Sequence, residues 1–412
     1  MQTALPATFL ATPEGEEANQ ILRNCVHCGF CTATCPTYQL LGDELDGPRG
    51  RIYLVKQMLE GQPASHITQH HLDRCLLCRA CETTCPSGVD YHRLLEIGRV
   101  QLAARVNRPL AQVLVRHGLR RILPYPGRFG LLLRLGQLVR PLLPAAIKVK
   151  VPPRRQAAAL PDSQHPRRVI LLQGCAQPAA APNTNAATAR VLHRLGISVV
   201  TPRGQGCCGA VSQHLAAEKE AVAFMRRNID AWWPLIEAGA EAVLITASGC
   251  GSMVKEYGHL LRNDPEYKDK ARRVSAITCD LAEILIRENL EHLKLEVDPA
   301  PVGYHSPCSL QHGQQLTGVV EQLLRRLGFN LTPVPDSHLC CGSAGTYSIL
   351  QPVISQKLLH NKLLALQAGK PTVIATANIG CQLHLETQAE VPVRHWIELV
   401  DEAMPLESST PA

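Results

Sequence analysis

Aromatic side chains make up only 4% of the 412 residues, too few for the stacked-base platform that single-strand binding proteins need. No zinc-finger, homeodomain or RNA-recognition signature occurs either, so nucleic acid is not an expected partner. Long apolar runs are also missing. The leucine-rich stretch 110–147 is interrupted by Arg116, Arg120, Arg121, Arg128, Arg134 and Arg140, so no uncharged run approaches the roughly eighteen residues that a bilayer span needs. Residues 1–17 contain no basic segment followed by an apolar one. A cytoplasmic, reducing location is therefore expected, and disulfides are not. No GxGxxG opens a helix, and no base-and-arginine constellation for a 2-hydroxy acid is evident, which argues against hydride chemistry within this chain.

What the chain has is cysteine, 17 in all. Cys25, Cys28, Cys31 and Cys35 stand at C-x2-C-x2-C-x3-C before Pro36, and Cys75, Cys78, Cys81 and Cys85 repeat that spacing before Pro86. Structural zinc uses two C-x2-C knuckles and has no need of a third cysteine or of the doubled C-P ending. The spacing is that of two 4Fe-4S clusters, in which three closely spaced thiolates wrap one cubane and the fourth reaches the other. The expected sets are crossed: Cys25, Cys28, Cys31 and Cys85 for one cluster, and Cys75, Cys78, Cys81 and Cys35 for the other. Arg49 and Arg51 lie close by in sequence and are read as contacts for an acidic partner surface or as solvated residues. Ligation removes thiol protons, so two clusters lower the formal charge of +7 by about four and leave the chain only weakly basic.

Beyond about residue 105 the texture changes. A segment rich in proline and arginine, 106–166, reads as a connector of short helices broken by Pro124, Pro126, Pro141 and Pro144. Such helices suit packing on the same chain, on a partner or on an anionic bilayer surface. Buried-strand runs then alternate with helical ones: strands at Val169–Leu172, Ile197–Val200, Ala242–Ile245 and Val274–Ile277, with helices near 186–195, 217–232 and 253–261. The alternation predicts a mainly parallel sheet. The pattern occurs twice, because Cys175, Cys207 and Cys208 recur 133 residues later as Cys308, Cys340 and Cys341, and Cys250 recurs 131 residues later as Cys381. The fold class is therefore α+β overall: a small, mainly helical ferredoxin-like domain with two 4Fe-4S motifs (18–105), the connector (106–166), and two tandem α/β repeats (167–297 and 298–412).

In each repeat the cysteines follow strand ends, where ligand sites of open α/β sheets collect. Three readings stay open for Cys175, Cys207, Cys208 and Cys250, and for Cys308, Cys340, Cys341 and Cys381: a further iron-sulfur cluster, thiol chemistry without iron, or a structural remnant. Cys279 has no cysteine counterpart and reads as a small hydrophobe. His305 and His312 flank Cys308 and are candidates for tuning its sulfur.

The cysteine, CCG, cysteine pattern resembles the cysteine-rich domains of heterodisulfide reductases, of anaerobic glycerol-3-phosphate dehydrogenase iron-sulfur subunits, and of lactate and glycolate oxidase complexes. Complete members end in C-x2-C; here Ala247 and Asn378 replace the first cysteine of that pair. The stretches from Cys25 (CVHCGFCTATCPTYQLLGDELDGPRGRIYL), Asn228 (NIDAWWP), Thr246 (TASGCG) and Pro335 (PDSHLCCGSAGTY) resemble the iron-sulfur subunits of glycolate oxidase. That resemblance implies flavin-containing partner subunits that oxidise glycolate to glyoxylate, and relay of electrons by this chain to a quinone or other acceptor. It also implies an isolated chain without glycolate activity and a location in the cytoplasm, with peripheral contact at the inner face of the membrane as an option.

Overall fold

In the N-terminal region, proline takes the first position of successive helices, where its missing N–H costs nothing. Pro13–Asn24, Pro36–Leu41 and Pro48–Leu59 all begin this way. The computed structural model describes residues 1–161 and 164–405, so the last part of the fourth predicted stretch, 406–412, lies outside the described residues. Residues 1–119 form one compact unit together with 212–217 and 338–362, and the remaining described residues form a second.

In the first unit, helices Pro13–Asn24, Pro48–Leu59, His66–Asp73 and Tyr91–Ala103 bury Leu22, Val55, Leu72, Leu94 and Leu102 in a common core. Gly98 allows two of these helices to approach closely, since a Cβ there would lie 2.7 Å from a Val55 methyl. Cys25 follows directly on the first of these helices, and Cys75 comes one residue after the C-cap of the third. The helices therefore place the two ligand motifs.

The connector is helical at Leu110–Ile122, Pro126–Val139 and Ala145–Lys148, with breaks at the expected prolines. Leu110, Leu114, Leu138 and Leu142 are 70% exposed or more, so the described chain does not cover these leucines. No helix among the described residues is long and apolar enough to cross a membrane.

The second unit contains two parallel sheets. Strands β1 (Arg167–Leu171), β2 (Ile197–Val200), β3 (Ala242–Ile245) and β4 (Thr278–Asp280) pair in the order β2-β1-β3-β4. Strands β5 (Val302–His305), β6 (Val373–Thr376) and β7 (Val393–His395) pair in the order β5-β6-β7. Every one of these pairings is parallel.

One strand differs from expectation. Residues 274–277 end the helix Lys268–Ile277, and β4 begins only at Thr278. Ala271 and Val274 are buried three residues apart, which is helical spacing, and the Thr278 hydroxyl donates to the Val274 carbonyl at 2.7 Å to close the last turn. A four-residue apolar run does not distinguish the two periods. The two strand-to-helix turns are alike: Asp280 caps its helix through a capping box with Glu283, and His395 accepts from the Ile397 amide.

The repeats share one apolar core, in which Leu244 and Leu281 of the first are clustered with Tyr304, Ala375 and Trp396 of the second. Polar bonds stitch the same junction. The Ser248 amide donates to the Ala377 carbonyl at 3.1 Å, the Ser248 and Ser309 hydroxyls are 2.8 Å apart, and His395 Nε2 lies 2.9 Å from the Thr246 carbonyl.

Candidate metal centres and thiol sites

Each N-terminal motif is a short loop bent by residues in the left-handed region at matching positions. His27 and Gly29 flank Cys28 with φ of 57° and 87°, and Leu77 and Arg79 flank Cys78 with φ of 54° and 63°. For non-glycine residues this conformation costs of order 1–3 kcal/mol and persists where the surroundings impose it. Its effect is to turn the sulfurs of one loop toward a common point.

Two voids result. One is lined by Cys25, Cys28, Cys31 and Cys85, and one by Cys35, Cys75 and Cys78. Cys81, Pro48 and Tyr91 border both. The thiols of each set also perturb one another. Burial first, then the nearby Cys25 and Cys85, push Cys31 up to about 11. Cys81 is driven well up by burial, then by Cys78, with smaller effects from Cys75 and Cys35. Thiols that resist ionisation together are relieved by a cationic centre that accepts them as thiolates. A four-sulfur donor set around a void of this kind fits an iron-sulfur cubane.

The surroundings of the two voids differ. Beside the first, Cys28 is exposed, as are Val26 and Phe30, and Arg49 pairs with Glu44 at the surface. Beside the second is a buried charge network. Arg51, only 1% exposed, donates to the His71 carbonyl at 2.8 Å, to Thr37 Oγ1 at 3.1 Å and to Asp46 at 3.3 Å. Arg74 and His71 also pair with Asp46. Thr37 Oγ1 in turn lies 3.3 Å from Cys35 Sγ. Burial works against the Arg51 charge, yet Cys75, Tyr91, Cys35 and Asp46 together hold its pKa above the usual value. Arg51 is thus no surface contact for a partner, contrary to one sequence reading. It is locked inside because Asp46 neutralises it there.

In the first repeat the four distant cysteines converge. Cys175 contacts Cys207, Cys207 contacts Cys208, and Cys208 contacts Cys250. The hydrogen bond with Cys207, followed by burial, holds the Cys175 thiol well above its ordinary value. Gly209 adopts φ of 94°, and its amide donates to Cys207 Sγ at 3.4 Å. Two side chains that the motif reading did not single out hold the pair from behind. Asn228 donates to the Cys207 carbonyl at 2.9 Å, and Tyr257 donates to the Cys208 carbonyl at 2.7 Å. Asn228 does open the NIDAWWP stretch, which was the available signal, but its partner is visible only in the fold.

The second repeat repeats the glycine device. Gly342 has φ of 87°, and its amide donates to Cys340 Sγ at 3.4 Å. Cys340 and Cys341 belong to the first compact unit, and Cys308 and Cys381 to the second. Asn378, at the position of the missing cysteine, donates to Cys381 Sγ at 3.3 Å. His305 and His312 are buried, and Cys279 packs against the shared core.

The comparisons with known proteins agree with this layout. Residues 21–89 match the 4Fe-4S dicluster domain family, and residues 169–255 and 302–386 each match the cysteine-rich domain family. The chain is 57% identical to the glycolate oxidase iron-sulfur subunit of Escherichia coli, over 99% of this chain and 100% of that one. It is 32% identical to a probable glycolate oxidase iron-sulfur subunit of Bacillus subtilis, over 90% and 89% respectively. Lactate utilization protein A of Geobacillus thermodenitrificans is 31% identical over 49% of this chain and 83% of its own length. A crystal structure of a hypothetical protein from Helicobacter pylori shares the fold, with a TM-score of 0.55 at 10% identity, over 97% of this chain and 74% of that one. This chain belongs to the family of glycolate oxidase iron-sulfur subunits.

Proposed function

We propose that this chain is the electron-transfer subunit of a glycolate-oxidising complex, in which flavin-containing partner subunits convert glycolate to glyoxylate and electrons pass to a quinone or other acceptor. The observation that carries this reading is the pair of adjacent cysteine-lined pockets sharing Cys81 as a wall. When bound, iron-sulfur clusters supply one-electron carriage, which complements a two-electron flavin. The assignment is crossed: Cys25, Cys28, Cys31 and Cys85 hold one cluster, and Cys75, Cys78, Cys81 and Cys35 the other. Exposed Cys28, with Val26 and Phe30 around it, supports this edge as the face toward the electron donor.

The same reading assigns the domains as 18–105, 106–166, 167–297 and 298–412. The contiguous row of Cys175, Cys207, Cys208 and Cys250 supports a further cluster in the first repeat. The uncovered leucines of the connector support docking to a partner subunit, and the location proposed is the cytoplasm, peripheral to the inner face of the membrane. The isolated chain is expected to be inactive toward glycolate. A second reading, a complex acting on lactate, draws on the half-length likeness to lactate utilization protein A.

The test is anaerobic reconstitution of the purified chain with its flavoprotein partners. Glycolate then bleaches the iron-sulfur absorbance of this chain only when the partners are present. Bleaching by the chain alone, or none in the full mixture, sinks the reading, and faster bleaching with lactate selects the second one.

A further inference from the structure

The segment 338–362 carries Cys340 and Cys341 and belongs to the same compact unit as the eight N-terminal cysteines. Within it, Tyr347 begins the short helix Tyr347–Leu350 and is 6% exposed. Its hydroxyl donates to the backbone carbonyl of Arg74 at 2.9 Å, immediately before Cys75. The ring borders a small pocket together with Cys75, Leu76, Leu77 and Leu350. At its other end the segment is clamped just as closely. The Ser355 hydroxyl donates to the Gly342 carbonyl at 2.8 Å, and a Cβ on Gly342 would come within 2.7 Å of the Ser355 carbonyl. The CCG turn and the Cys75 loop are therefore joined through one segment that is hydrogen-bonded at both ends.

We propose that Tyr347 is a positioning residue that couples the iron-sulfur site of Cys35, Cys75, Cys78 and Cys81 to the Cys340–Cys341 pair. The proposal rests on the dicluster reading above and extends it to a specific residue of the second repeat. The phenol holds the Arg74 carbonyl while the N–H of the same peptide, that of Cys75, donates to the Leu72 carbonyl at 3.3 Å, so Tyr347 is one of two bonds that orient the planar peptide leading into Cys75. A change in charge or ligation at the CCG turn pulls on the same strut. Electrostatics agree: burial first, then Cys75, with a smaller effect from Cys340, raise the Tyr347 phenol, so it stays a neutral donor. Among the parts of this bridge the hydroxyl is the one that substitution removes without altering packing.

The experiment is an EPR-monitored redox titration of the full chain, purified anaerobically, without partners or glycolate. It compares the wild type, Tyr347→Phe, Cys340→Ser and the double variant. Each single substitution is expected to shift the midpoint of the same one of the two N-terminal cluster signals, and the double variant to shift it by less than the sum, the signature of coupled sites. Unchanged midpoints in Tyr347→Phe, or strictly additive shifts, overturn the proposal. Should Tyr347→Phe lose iron, Cys340→Ser alone decides, because an unmoved midpoint there overturns it equally. Absence of two cluster signals in the wild type overturns the dicluster reading itself, which is a different result from two signals that do not respond.

Discussion

The Asn378 amide donates to Cys381 Sγ at 3.3 Å, from the position where a complete cysteine-rich domain carries another cysteine. This side chain is a hydrogen-bond donor to the sulfur of Cys381. Asn378→Ala should therefore destabilise the iron-free chain by about 1 kcal/mol, the usual net worth of one buried hydrogen bond. Urea denaturation of the two proteins measures the difference, and equal midpoints would show that this bond is not made.

Crossed ligation makes a pairwise prediction. Cys85→Ser should weaken or abolish the same EPR signal as Cys25→Ser, and Cys35→Ser the same signal as Cys75→Ser, with losses approaching about four irons per chain when a cluster is lost. Uncrossed ligation would instead group Cys85 with Cys75. Iron analysis beside the spectra tells the two schemes apart.

Arg51 is buried against Asp46 and beside Cys35 and Cys75. Arg51→Met removes a positive charge that favours the reduced state of the neighbouring cluster, so that cluster should become harder to reduce while the other stays nearly unchanged. Removing one partner of a buried pair costs about 3–5 kcal/mol; here Arg74 and His71 still face Asp46, which places the loss at the lower end. Potentiometry reads the first effect and thermal denaturation the second.

His395 gives the second unit a pH dependence. Burial lowers its pKa from 6.5 to about 4. The imidazole is neutral with Nε2 toward the Thr246 carbonyl, while Nδ1 accepts from the Ile397 amide, a bond that protonation would break. Between pH 4 and 6.5 the unfolded chain binds the proton and the folded chain does not, so this residue makes stability rise with pH across that window. The buried Asp280 works in the opposite sense. Burial raises it from 3.8 to about 7, so the folded state holds the extra proton and stability falls as pH rises from about 4 toward 7. His395→Gln should therefore expose the Asp280 slope in urea midpoints measured from pH 4.5 to 7. A wild-type-like profile in that variant would remove His395 from the account.

How much was legible varied with the range of the interaction involved. The two N-terminal motifs are local and their spacing was read directly, whereas the left-handed turns at His27 and Leu77 are seen only in the fold. The duplication was equally open, because Gly209 and Gly342 stand at one offset with their cysteines. Arg51 was misread because its partner Asp46 is close in sequence, but the burial of the pair depends on His71 and Arg74 arriving from another helix. The strand at residues 274–277 was misplaced for a related reason, since burial of one face of a short segment looks the same at either period. Asn228 and Tyr257 reach the CCG pair only through the packing of two helices, and no motif announces them.

The common core under both parallel sheets has a consequence for cutting the chain between its repeats. The two repeats match one domain family, and Leu244 and Leu281 of the first are closed over by Tyr304, Ala375 and Trp396 of the second. The first repeat also has a second buried cluster of its own, around Ile170, Trp232 and Tyr257. A truncation at the repeat boundary would leave the apolar side chains of the common core uncovered on each half.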